Sequence, residues 1–264
     1  MSFLYRVSEY LRYRLRARSA HGIHSPFVYQ FITTVLQDKR TFYAFQQIET
    51  LRKELCTNHT LLEMEDFGAG SLHTHARFRK ISELAKNAGR SPHSGELLFR
   101  LIQFFQPRAI LEMGSSLGLS TLYLALANFE TPVYSIEGCK AVAEQAKKNF
   151  NSLQVKNIQL ITGRFEDTLP ELVNEHSFDF IFIDGNHRKG PTLDYFQKLL
   201  AVKGNNTVMV FDDIHWSKEM TAAWDEICAH QEVRLSMDLF QFGIVLFRSE
   251  FMVKQHFVLK WFRI

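Results

Sequence analysis

From residue 94 onward the chain alternates short apolar runs with segments of helical period. Residues 94–106 set Leu97, Leu98, Leu101, Ile102 and Phe105 on one face of a predicted helix, and Pro107 stops it. Apolar runs at 109–111, 132–136, 158–161, 178–183 and 207–211 read as buried strands, with helix-length stretches such as 121–128 and 140–151 between them. Strand and helix in alternation predict a parallel sheet covered on both faces. The last two runs, 233–237 and 242–247, are only four residues apart. A parallel crossover needs about a dozen residues or more, so this pair is expected to be an antiparallel hairpin. The expected fold class is α/β, a doubly wound Rossmann-like sheet of seven strands that ends in that hairpin.

Residues 1–93 lack the alternation. Leu4, Val7, Leu11 and Leu15 recur at helical spacing with arginines between them, and 27–36, 45–55 and 77–88 read as further helices. A polar, Gly-bearing loop at 65–75 is expected to be a connector or a lid over the substrate. The chain thus divides into a helical N-terminal extension (1–93) packed against a core (94–247), followed by a basic aromatic tail (248–264).

Composition then narrows the class. With 264 residues, 46% of them hydrophobic and 22% charged, the profile excludes collagen-like and wholly disordered chains. Cys56, Cys139 and Cys228 are far apart and odd in number, which fits reduced thiols in a cytoplasm rather than a disulfide framework. No apolar run approaches the roughly 20 residues of a membrane span, and arginines occupy the place of a signal core. The net charge of +3 is unevenly spread. Arg6, Arg12, Arg14, Arg16 and Arg18 against Glu9 give the first 18 residues +4, and the tail carries +3, leaving −4 on the 229 residues between.

Chemistry is expected at the carboxyl ends of the strands. The first is followed by Glu112-Met113-Gly114-Ser115-Ser116-Leu117-Gly118-Leu119-Ser120. Gly114 permits a tight turn, Gly118 a close helix–strand approach, and the helix start favours an anion. Glu137 lies 23 residues after Gly114, the distance of an acid that holds ribose hydroxyls. These features leave dinucleotide and S-adenosylmethionine binding both open. The ExGxxxG spacing favours the latter, and Glu112 suits a ligand with an ammonium group while it would repel a diphosphate. After the third strand, Arg164, Phe165 and Glu166 offer an adenine site or a plain helix start.

Asp184 ends the fourth strand, and Asp212 and Asp213 the fifth. Three carboxylates at one sheet edge call for a cation, and hard oxygen donors suit Mg²⁺ or a similar ion. The alternative is a turn at Asp184-Gly185 and a helix cap at Asp212-Asp213. His187, three residues after Asp184, is the candidate general base, with Lys189 and His215 as substitutes. The pairs His21/His24 and His73/His75 could hold a transition metal, but no cysteine or carboxylate spacing supports them.

In order, ILEMGSSLGLSTLYLA, YSIEG, TGRFEDTLPEL, FDFIFIDGNH and VFDDIHW resemble the class I S-adenosylmethionine-dependent methyltransferases. The resemblance is strongest to metal-dependent catechol- and caffeoyl-CoA-type and sugar O-methyltransferases, and it covers residues 94–247. It implies that Glu112, Gly114, Ser115, Ser116 and Gly118 form the loop at the methionine part of S-adenosyl-L-methionine, with Ser120 near its carboxylate. By the same resemblance Glu137 holds the ribose, Arg164, Phe165 and Glu166 surround the adenine, and Asp184 adjoins the cofactor. Asp184, Asp212 and Asp213 match the metal ligands, and His187 the catalytic base. The catechol-type enzymes carry Asn in place of Asp213 and Lys in place of His187, so the sequence departs from a catechol specialist. The implied activity is metal-assisted O-methylation of a small-molecule hydroxyl.

The basic ends leave other readings open. Interleaved aromatics (Tyr5, Tyr10, Tyr13, Phe257, Trp261, Phe262) fit methylation of a hydroxylated RNA nucleoside. The basic amphipathic stretch 3–18 fits a membrane-surface or scaffold protein with a vestigial core, or a helix that packs on the core with its arginines solvated. A nicotinamide dehydrogenase is the outsider. The expected location is cytoplasmic, peripheral to the membrane if the basic ends bind lipid, and a homodimer is among the arrangements left open.

Overall fold

The computed structural model describes residues 3–64, 77–87 and 92–261. The first elements are helices α1 (Phe3–Arg16), α2 (Pro26–Phe31) and α3 (Tyr43–Thr57). The short strands β1 (Leu61–Glu63) and β2 (Phe78–Lys80) follow, then α4 (Ile81–Asn87) and α5 (Pro92–Phe105). The alternating part runs β3 (Ile110–Met113), α6 (Leu119–Leu126), β4 (Val133–Glu137), α7 (Lys140–Ser152), β5 (Ile158–Thr162) and α8 (Phe165–Glu175). It continues through β6 (Phe180–Ile183), α9 (Lys189–Leu200), β7 (Val208–Asp212) and α10 (Lys218–Ala229) to β8 (Leu235–Asp238), β9 (Phe242–Leu246) and β10 (Gln255–Val258).

The chain forms two compact units, residues 39–176 and residues 1–38 with 177–264, a division that cuts across the three segments read from the sequence. In the first unit β3, β4 and β5 form a parallel ladder, with Ile110 opposite Val133 and Val133 opposite Ile158. β3 is buried along its whole length, as a strand with both faces covered should be. Here α3 joins α5 and α6 through a ring cluster, in which Phe45 meets Phe99 edge-on with centroids 5.0 Å apart.

In the second unit the order is β10-β8-β9-β7-β6. β6 pairs parallel to β7, and β7 antiparallel to β9. The predicted hairpin is present: β8 and β9 are antiparallel, with Leu235 opposite Leu246. The fold is mixed α/β with mostly parallel strands. Among the described residues, β10 lies beyond the strands expected for the core and continues the second unit by pairing parallel to β8.

Two local expectations need correction. Residues 77–88 were expected to be helical throughout, yet Phe78–Lys80 is a strand antiparallel to β1, and the helix starts at Ile81. The two short strands are tied by an Arg77–Glu63 ion pair at 2.8 Å. Of the two readings left open for the apolar stripe of α1, packing on the core does not hold, because Leu4, Leu11 and Leu15 are exposed, Leu15 by 88%. The face turned inward carries Tyr13 and Ala17, which pack with Val258, Tyr10 and Phe240. The Tyr13 hydroxyl donates to the Leu259 carbonyl (2.5 Å) and accepts from the Trp261 amide (3.0 Å). The Lys260 amide donates to the Arg18 carbonyl at 2.9 Å, so the two basic ends of the chain do meet. The loop 65–75, with His73 and His75, lies outside the described residues.

Burial leaves a pH signature. It pushes the Cys228 thiol up to about 12, and it holds the phenols of Tyr13 and Tyr123 well above their usual range. Unfolded, such groups ionise at about 8.5 and about 10 respectively, so the raised values stabilise the folded chain fully below that range and lose their effect as pH climbs toward the folded values. The urea midpoint is expected to hold level from about pH 7 to 8.5 and to fall from about pH 9 upward. A midpoint unchanged at pH 10.5 would contradict the burial of these groups.

Candidate functional site

In the unit of residues 39–176, β3 ends in a turn that departs sharply from helical or strand geometry. Gly114 has φ +104°, Ser116 +48° and Gly118 +81°. Positive φ at Gly114 and Gly118 is available to glycine without strain. A Cβ on Gly118 would lie 2.3 Å from Phe150 Cε1 on α7, so α6 can begin where it does only without a side chain. The amides of Gly114 and Ser115 both donate to the Ile136 carbonyl, which ties the turn to β4.

Glu137 closes this loop. Its carboxylate accepts from the Ser116 amide (2.8 Å) and the Cys139 amide (2.9 Å), while the Gly163 amide donates to its backbone carbonyl (3.0 Å). One residue therefore joins the ends of β3, β4 and β5. Glu112 is fully buried and accepts from the hydroxyls of Thr121 and Ser135, each at 2.5 Å. Ser115 is also interior, its hydroxyl paired with that of Ser135. Gly114, Ser116 and Ser120 remain partly open to a ligand, as does Glu137. Arg164 and Glu166 form an exposed ion pair at 3.8 Å beside a half-buried Phe165 at the start of α8. Glu166 and Asp167 occupy the first turn there, where the helix dipole favours acids.

In the other unit, ligand atoms of Asp184, His187 and Asp212 lie within 4.8 Å of one another. Asp184 follows the end of β6, and Asp212 is the last residue of β7, 1% exposed. Parallel pairing of Ile183 with Phe211 brings the two ends level. His187 is placed by the turn Asp184–His187, in which Asn186 has φ +51°, and its Nε2 lies 3.5 Å from Asp184 Oδ1. Two carboxylates and an imidazole are a donor set for a divalent cation such as Mg²⁺, Mn²⁺ or Zn²⁺. Asp213 is not in this group. It has φ +52°, and its carbonyl accepts from the Trp216 amide in the turn that leads to α10.

The substitutes for His187 are committed elsewhere. Lys189 forms an ion pair with Glu226. His215 stacks on Phe240 and bonds through both ring nitrogens, to Asp238 Oδ2 (2.8 Å) and Thr221 Oγ1 (3.2 Å). Tyr5 of α1 donates to the same Thr221 hydroxyl at 2.9 Å. This chain of contacts escaped the sequence reading, because His215 and Asp238 are 23 residues apart on separate elements. Among the described residues, His21 and His24 join no metal-type cluster.

Residues 111–214 match a family described as a methyltransferase domain. The matched stretch includes the Gly114–Ser120 loop, Glu137, Arg164, Phe165 and Glu166, and also Asp184, His187, Asp212 and Asp213. The chain is 35% identical over 128 residues to a catechol O-methyltransferase of Niastella koreensis, covering 47% of this chain and 57% of that one. It is 31% identical over 126 residues to a catechol O-methyltransferase of Mycobacterium tuberculosis, covering 47% and 56%. The chain thus spans about half the length of the curated relatives it matches. A solved O-methyltransferase of Bacillus cereus in complex with S-adenosylhomocysteine shares the fold, with TM-score 0.54 and 22% identity over 83% of this chain and 97% of that one. Among the described residues, no helix is long and apolar enough to cross a membrane.

Proposed function

We infer that the chain transfers a methyl group from S-adenosylmethionine to a hydroxyl oxygen of a small-molecule acceptor, with the help of a divalent cation. The observation that carries the reading is the convergence of Asp184, His187 and Asp212 in a methyltransferase domain whose relatives include catechol O-methyltransferases. The loop at Gly114–Ser120 would take the methionine part of the donor, with Glu137 at the ribose and Arg164, Phe165 and Glu166 around the adenine.

Asp184 and Asp212 would hold the cation, with Asp213, next in the chain, as a further candidate oxygen donor. A cation bound there supplies a Lewis acid that makes a hydroxyl more acidic. His187 takes the hydroxyl proton on Nε2, where Asp184 stabilises the resulting imidazolium across the 3.5 Å gap. Bound S-adenosylmethionine would supply the methyl group from its sulfonium to that oxygen and be left as S-adenosylhomocysteine. Positioning the donor and acceptor supplies much of the acceleration.

The test uses the full chain with labelled S-adenosylmethionine and a panel of catechol, phenol and sugar acceptors. Exhaustive chelation is expected to abolish transfer, and Mg²⁺ or Mn²⁺ to restore it. His187→Ala is expected to lower transfer by roughly 10²- to 10⁴-fold, while Mn²⁺ affinity stays within a few-fold of the parent. Transfer that survives chelation removes the cation from the reading. Loss of Mn²⁺ affinity in His187→Ala makes this residue a ligand instead of the base.

A further inference from the structure

Helix α1 carries two faces, and only one is used within its own unit. Glu9, Tyr13 and Ala17 are buried, and Tyr5 reaches Thr221. Stepping about 100° per residue, Leu4, Val7, Leu11 and Leu15 fall on the opposite side of the helix. They are exposed by 75%, 39%, 56% and 88%. This is a continuous apolar stripe, roughly 16 Å long at the helical rise, and it faces away from the packing that anchors the helix.

Its borders are cationic. The same stepping places Arg12 beyond one margin and Arg14 at the other, with Arg16 nearer the anchored side, all exposed. The only acid in the helix, Glu9, is turned inward and ion-paired with Arg12 at 2.7 Å. Arg18 and Lys260, exposed and joined through their backbones, extend the positive charge beyond the helix end.

We propose that α1 is an interfacial helix that lays Leu4, Val7, Leu11 and Leu15 into an anionic lipid surface while its arginines meet the headgroups. An apolar face bordered by arginine is the pattern of helices that lie in the plane of a membrane. A second copy of α1 fits less well, because face-to-face pairing would oppose two sets of arginines with no outward acid to answer them. RNA also fits less well. Its bases would need exposed rings to stack on, but Tyr13 is buried with both contacts of its hydroxyl filled, and Tyr10 packs on Phe240. The proposal does not depend on the methyl acceptor.

The test sediments the full chain with vesicles of phosphatidylcholine alone and of phosphatidylcholine with 30% phosphatidylglycerol. Binding is expected to the anionic vesicles only and to weaken by about tenfold between 0.1 and 0.5 M salt. The combined variant Leu4→Ser, Leu11→Ser, Leu15→Ser is expected to bind on the order of a hundredfold more weakly, with an unchanged melting temperature because these side chains are exposed. Arg12→Gln, Arg14→Gln, Arg16→Gln together should also weaken binding. Absence of binding to anionic vesicles overturns the proposal, as does full binding by the leucine variant. So does a wild-type dimer that the leucine variant converts to monomer while vesicle binding is unchanged, or RNA binding that outcompetes vesicles and ignores the leucine changes.

Discussion

Replacing Asp212 with Asn is expected to weaken Mn²⁺ binding by roughly a hundredfold or more and methyl transfer by about three orders of magnitude. The substitution removes one negative charge and keeps the size and shape of the side chain. Asp212 is the natural place for so large an effect. It is nearly inaccessible, and it is fixed by pairing with β6 on one side and by the register opposite Phe242 on the other. A carboxylate held in that way cannot swing out to water, so its charge is available to whatever lies between it and Asp184. The same exchange at Asp213 should matter less, by roughly tenfold, because that residue sits outside the cluster and asparagine tolerates its positive φ well. Titration of the two variants with Mn²⁺, followed by electron paramagnetic resonance, separates the cases, and circular dichroism checks the fold. Equal affinities of Asp212→Asn and the parent would remove Asp212 from the site. If Asp213→Asn proves the more damaging, the turn after β7 rearranges on binding and the oxygen set is the one implied by the sequence.

How far the sequence led depends on where the forces act. β3, β6 and β7 could be read directly, because strands buried on both faces read as near-continuous apolar runs, and Phe180–Ile183 has no polar residue at all. The acids at their ends were legible for the same reason: a carboxylate directly after such a run sits at the sheet edge by geometry. β10 was not legible. Gln-His-Phe-Val has no strand signature, and it pairs with β8 in a region that also docks Tyr13, so its structure rests on tertiary contacts. The orientation of α1 was hidden by a competition between two stripes. Leucines at 4, 11 and 15 outweigh Tyr13 and Ala17 by hydropathy, yet only a tyrosine hydroxyl can satisfy both the Leu259 carbonyl and the Trp261 amide. Glu112 was read as a ligand contact from its place before the turn. Its burial and the two hydroxyls that donate to one of its oxygens are visible only in three dimensions.

Gly118→Ala is expected to lower stability by about 2–5 kcal/mol and to abolish detectable binding of S-adenosylmethionine. Two costs add. A methyl at φ +81° is strained by about 1–2 kcal/mol, and it would stand 2.3 Å from Phe150 Cε1 and 2.6 Å from Phe150 Cζ. The ring cannot retreat freely, because Phe150 is itself buried. Relief must therefore come from moving the start of α6 away from α7, which carries Ser115–Ser120 with it. That shift would pull the Ser116 amide from Glu137 and undo the arrangement that joins β3 to β4 and β5. The stability loss and the binding loss thus have one cause. For a chain of this size a change of this magnitude lowers the melting temperature by roughly 5–15 °C. Gly22→Ala supplies the control, since no atom lies within 4 Å of a Cβ there and little change is expected. Differential scanning calorimetry of both variants, with and without S-adenosylhomocysteine, makes the comparison. A Gly118→Ala chain that melts with the parent and is stabilised equally by the ligand would show that the approach of α6 to α7 is not as close as the structure has it.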